Sequence, residues 1–68
     1  MENSIYKHIE LVGTSNTSIE DAINNAITRA TKTLRNIEWF ETLSTRGSVE
    51  NGKVKEYQVI MKVGIKLE

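Results

Sequence analysis

Val54-Lys55-Glu56-Tyr57-Gln58-Val59-Ile60-Met61-Lys62-Val63-Gly64-Ile65-Lys66-Leu67 alternates in character along its whole length. Tyr57, Val59, Met61, Val63, Ile65 and Leu67 make an almost unbroken apolar face, and Glu56, Gln58, Ile60, Lys62, Gly64 and Lys66 a mixed one. Alternation of this kind predicts one long strand with a single buried side. That side needs cover, and the chain supplies one candidate. Ser18 reads as an N-cap, with Glu20 and Asp21 in the first turn, where the helix dipole favours anions. Ile19, Ala22, Ile23, Ala26, Ile27, Ala30 and Leu34 then recur at helical spacing. They predict an amphipathic helix from Ile19 to Arg35. Lys32 and Arg35 complement its C-terminal dipole, and Asn36 is its stop. The small residues of the Ile/Ala stripe let such a helix lie close to a sheet.

Two shorter strands complete the pattern. In Ile5 to Val12, Ile5, Ile9 and Leu11 share a face interrupted by Lys7, while Tyr6, His8 and Glu10 share the other. Gly13-Thr14-Ser15-Asn16-Thr17 is turn chemistry. In Glu38 to Arg46, Trp39, Glu41, Leu43 and Thr45 alternate with Phe40, Thr42, Ser44 and Arg46. Gly47 to Lys53 reads as a connection, with Asn51-Gly52 its sharpest hairpin signal. The order is β-α-β-β.

The totals narrow the function. At 68 residues the chain is one domain, 1–68. A lone core in a chain below roughly 70–80 residues rarely supplies more than ~3–5 kcal/mol. With no Cys and a single His, neither disulfides nor a typical metal site adds to it, which leaves self-association. Nine basic and nine acidic residues cancel, which argues against nucleic acid and against a polybasic membrane anchor. No apolar run approaches a membrane span of about 20 residues. Met1-Glu2-Asn3-Ser4 does not start an export signal, so a cytoplasmic protein is expected. Length arithmetic also points to copies. The predicted helix is about 26 Å long, the long strand about 46 Å. Ile65 and Leu67 then lie beyond the helix and need another subunit to cover them.

Asn36-Ile37-Glu38-Trp39-Phe40 holds the only Trp and the only Phe, at the junction of helix and strand. A large flat ring there fills a core or faces a partner. We read Trp39 as facing a planar aromatic ligand.

The ordered series Glu10-Leu11-Val12-Gly13-Thr14-Ser15, a helix, Trp39-Phe40-Glu41, Arg46-Gly47 and Tyr57-Gln58-Val59 resembles the dodecins over nearly the whole chain. The resemblance implies an α+β fold in which a three-stranded antiparallel sheet wraps around one helix. It implies twelve copies in a hollow homododecamer, with no turnover. It also implies flavins, FMN or riboflavin, bound in pairs between tryptophans of symmetry-related chains, stored there and quenched. Residue by residue, Trp39 matches the stacking tryptophan and Gln58 the glutamine that meets the polar edge of the isoalloxazine. Arg46 matches an arginine suited to a phosphate-bearing ligand. Lys66 matches a position that is arginine in close relatives, keeping the charge but not the planar fork. Coenzyme A, bound by some bacterial members, is a second ligand to consider.

The residue types suit that chemistry. Indole stacks on a flat ring, and aromatic stacking adds about 0.5–1.5 kcal/mol beyond area burial. Gln offers a donor and an acceptor in one plane to the N–H and carbonyls of the flavin edge. Gln58 and Lys66 are eight residues apart on one strand, about 26 Å, so they serve one ligand only from different subunits. Trp39 and Arg46 differ in parity and point to opposite faces unless a bulge intervenes. Plain alternatives stand beside each reading. Trp39 as an interface anchor makes the protein a purely structural cage, and Arg46 and Lys66 as surface charges or intersubunit salt bridges remove the coenzyme A reading. His8 faces solvent or a cavity, and Phe40 and Tyr57 pack. Glu10, Glu38 and Glu41 read as ordinary sheet charges, with cation binding on symmetry axes as the alternative. A flavin-dependent reductase lacks a nicotinamide-binding glycine pattern and an acid/base pair.

Overall fold

The computed structural model describes residues 3–67. Met1 and Glu2, on which the reading of the N-terminus partly rests, lie outside the described residues, as does Glu68. The elements are β1 (Ile5–Ser15), α1 (Ile19–Ala30), β2 (Ile37–Glu50) and β3 (Lys53–Leu67). They form a three-stranded sheet in the order β1-β3-β2, with both pairings antiparallel. The expected β-α-β-β order is therefore the observed one. The long alternating strand lies in the middle, hydrogen-bonded along both edges.

The helix lies over β1 and β3. Ala22, Val59 and Met61 are fully buried at its contact, with Leu11, Ile23, Ala26 and Ile27 packed around them. Close approach depends on Gly13. A Cβ there would run into the Ala22 carbonyl and lie 3.0 Å from the Ala26 Cβ. The Gly13-Thr14-Ser15 segment is not a turn, as expected from its residues, but the end of β1. Its polar groups serve the helix start instead. Buried Ser15 donates to Asp21 Oδ2 at 2.7 Å and accepts from the Thr17 N–H at 2.9 Å. Ser18 caps the helix as predicted, accepting from the Asp21 N–H at 3.0 Å.

The helix is shorter than its apolar pattern. It ends at Ala30, not Arg35, so its last-turn base is Arg29 rather than Lys32 or Arg35. Thr31 turns its hydroxyl back to the Thr28 carbonyl at 2.8 Å, and the Lys32 and Thr33 N–H groups bond three residues back, tightening the last turn. Asn36 is the left-handed residue expected at a stop (φ 64°), but it stands just before β2. Its carbonyl accepts from the Lys66 N–H at 3.0 Å, which ties the connector to the end of β3. Ile65 is consequently buried, against the expectation that it would be bare, while Leu67 remains exposed. Ile5, the β1 partner of Leu67, is exposed with it, and a second bare apolar tip lies at the other end, where Val49 is 71% exposed and Val54 lies beside it.

β2 runs to Glu50, four residues past the expected Arg46, so Gly47-Ser48-Val49-Glu50 is strand rather than connection. Asn51 and Gly52, at φ 54° and 74°, make the expected two-residue hairpin turn. Nearly all of β2 is exposed on both faces, since the helix packs mainly on β1 and β3.

Gly13→Ala should cost about 1–3 kcal/mol of stability through overpacking against α1. Denaturant unfolding at fixed protein concentration checks this, and an unchanged midpoint would show that the helix can retreat freely.

Candidate binding site

Faces in this sheet follow from each residue's partner on β3. The helix side carries Val59, Met61, Val63 and Ile65; the opposite side carries Gln58, Ile60, Lys62, Gly64 and Lys66. Trp39 pairs with Gly64 and Arg46 with Gln58. Both therefore lie on the open side, although their numbers differ in parity. The register shift between Thr42 and Ser44 skips Leu43 and supplies the missing step. The expectation that Trp39 and Arg46 face opposite ways holds only without a bulge, and this strand has one. All four expected site residues, Trp39, Arg46, Gln58 and Lys66, thus share the face away from the helix.

They gather in two clusters. At one end, the Trp39 indole crosses β3 over Gly64 and reaches towards β1, where its ring centroid is 6.2 Å from that of Tyr6 at 59° between planes. The two residues are on strands that are not neighbours, so the contact spans the central strand. Trp39 stays 40% exposed. Tyr6 is the β1 partner of Lys66, and His8 that of Gly64. At the other end, the Arg46 Nε donates to Gln58 Oε1 at 2.8 Å, and Gln58 Nε2 donates to Glu56 Oε1 at 2.9 Å. The Gln58 amide is thereby oriented, oxygen towards Arg46 and nitrogen towards Glu56.

The clusters cannot meet on one ligand. Gly64 and Gln58 are six residues apart on β3, about 20 Å. Between them, Lys62 is the register partner of both Glu10 and Glu41, although among the described residues no ion pair joins them. Two open grooves are present. One, of about 640 Å³, lies between Leu11–Thr14 of β1 and the helix at Asn25 and Arg29. The other, of about 270 Å³, lies by the hairpin among Ile19, Arg46, Val49, Val54 and Tyr57. Trp39, Gln58 and Lys66 line neither, as befits residues presented on a sheet surface.

Two residues at the aromatic end were not singled out from the sequence. Tyr6 was assigned its face but no role, and Gly64 was one member of a mixed face. A glycine inside a long alternating strand was the available signal for close approach by another group.

A family model described as Dodecin matches residues 5–68. A dodecin from Thermus thermophilus is 52% identical over 64 residues, spanning 94% of this chain and 93% of that protein. The structure of dodecin from Streptomyces coelicolor superposes with a TM-score of 0.94 at 46% identity, covering 100% of this chain and 97% of that one. A calcium dodecin from Mycobacterium tuberculosis, described as a calcium-chelating antigen with a novel calcium-binding site, gives 0.81 at 32% identity, covering 96% and 93%.

Tyr6→Ala should remove a ring contact worth about 0.5–1.5 kcal/mol and leave Trp39 more open to water. Tryptophan emission should shift red and acrylamide quenching should rise; identical spectra would mean that the ring pair does not hold Trp39 in place.

Proposed function

The chain belongs to the dodecin family, and from that premise we propose that it is a binding protein for flavins. It stores FMN or riboflavin and quenches their excited state, and it has no turnover of its own. The observation that carries this reading is the half-exposed indole of Trp39, laid across bare backbone at Gly64 on an open sheet face. A planar ligand meets there a ready stacking surface. The bound flavin would supply a light-absorbing ring, to which Trp39, the most easily oxidised natural side chain, gives an electron and from which it takes it back. Trp39 binds by stacking. Gln58 presents a planar donor and acceptor, and Arg46 orients that amide or, on exchange, meets a ligand phosphate. Lys66 adds positive charge near the aromatic end.

One copy does not complete such a site. Trp39 and Gln58 of one chain stand about 20 Å apart, so the stacking surface of one copy and the amide that reads the flavin edge come from different copies. The uncovered β2 and the bare tip at Val49 and Val54 also call for neighbours. A closed homododecamer, with flavins in pairs between symmetry-related Trp39 rings, meets both needs. Coenzyme A is less favoured, since Arg46, beside Gln58, and Lys66 lie about eight residues apart along β3 and do not converge on one phosphate group within a copy. In the row Glu10–Lys62–Glu41 the register places a lysine between the two carboxylates, which disfavours the calcium chelation of the mycobacterial relative.

Added FMN or riboflavin should lose its fluorescence in proportion to protein, on a particle of about 92 kDa, twelve times 7.7 kDa. Trp39→Ala should weaken binding by at least about tenfold and restore fluorescence to whatever flavin remains bound. Light scattering and a fluorescence titration, run together, decide the matter. A monomeric particle, or dark flavin on the Trp39→Ala protein, would refute the proposal.

A further inference from the structure

Gly64 is a poor residue for the place it holds. It stands among Val59, Met61, Val63 and Ile65 on a strand paired along both edges, where glycine loses most backbone freedom and packs nothing. Backbone conformation does not require it, since the positive-φ glycine among the described residues is Gly52. Space does. The three atoms nearest to a Cβ built on Gly64 all belong to the Trp39 indole, Cε2, Cζ2 and Cδ2, and the Cβ would fall within the volume of the ring. Gly64 is also buried although it lies on the open face, and the indole is the group placed over it.

We infer that Gly64 is the seat of Trp39 and sets how deep a stacking slot this protein offers. The missing side chain lets the indole cross β3 directly against the backbone, with Tyr6 at its far side. A methyl group at 64 would force the ring outward by on the order of 1 Å or more to regain ordinary contact distance. Alternatively it would tilt the ring off the strand. In a slot closed by two facing copies, both rings would advance, and each stacked layer needs about 3.5 Å. An alanine at this position therefore shrinks or skews a space sized for a pair of flat ligands. The seat itself follows from the packing alone; the slot depth rests on the flavin reading.

A double-mutant cycle tests the seat without any ligand. Gly64→Ala should lower the Tm of the otherwise unchanged protein. In a Trp39→Ala background the same change should leave the Tm level or raise it, because alanine is the better strand residue once the ring is gone. A loss of equal size in both backgrounds overturns the inference. If Gly64→Ala alone does not fold, the Trp39→Ala/Gly64→Ala chain should, and its failure overturns the inference equally. FMN titration then addresses the slot. Gly64→Ala should bind at least tenfold more weakly, or hold half as many flavins per chain. Equal binding by wild type and Gly64→Ala overturns the depth argument, whereas a wild type that ignores FMN sinks the flavin reading and leaves the Tm cycle to judge the seat.

Discussion

Hydrogen bonding of β3 along both of its edges is the constraint on which the molecule depends. A residue of β1 or β2 faces the helix or faces away according to its partner on β3, not according to its own number. The central strand thus acts as the ruler for the two outer ones. Along it, Val59, Met61 and Val63 are fully buried, the first two packed with Ala22 of the helix. On its reverse side the same ruler spaces Lys66, Gly64 and Gln58, and through them Tyr6, Trp39 and Arg46. Core and candidate site are therefore two sides of one alternation, and a slip of one residue would exchange them.

Much of this was legible in the amino-acid sequence, and the failures share a cause. Alternation from Val54 to Leu67 identified the central strand, Ser18 the helix start and Asn51-Gly52 the hairpin, since each rests on local chemistry. The helix end was misplaced because Leu34 keeps the apolar spacing after Thr31 and Thr33 have let the backbone tighten. Gly13-Thr14-Ser15 looked like a turn because its residue types are those of turns. Tertiary contact overrode that: Gly13 admits the helix and Ser15 bonds to Asp21. The bulge at Leu43 left no mark in β2, whose two faces are both mixed, so parity was the only guide and it misled. Trp39, Arg46, Gln58 and Lys66 were found through family likeness and chemistry. The separation of Gln58 from Lys66 was readable from strand length; that Trp39 joins the Lys66 end and Arg46 the Gln58 end came only from register.

That arrangement ties the site to assembly. Gln58 is held by Arg46 and Glu56 at one end, and Trp39 by Gly64 and Tyr6 at the other, so each half is organised before any ligand arrives. Preorganised halves lower the ordering cost of binding. They also leave the sheet with little to gain from internal rearrangement. On the flavin reading, docking of copies brings the halves together, so oligomer formation and ligand capacity are expected to rise and fall as one.

The strand order has a consequence for the life of a copy before it finds others. With β3 in the centre, β1 and β2 are both sheet borders, 11 and 14 residues long, and the chain contains no proline to interrupt either. Each border is a row of backbone donors and acceptors that any extended polypeptide can zip onto. Self-association that covers these edges would take such rows out of circulation, whereas a lone subunit presents both. Rapid assembly would then guard against fibrous misassociation.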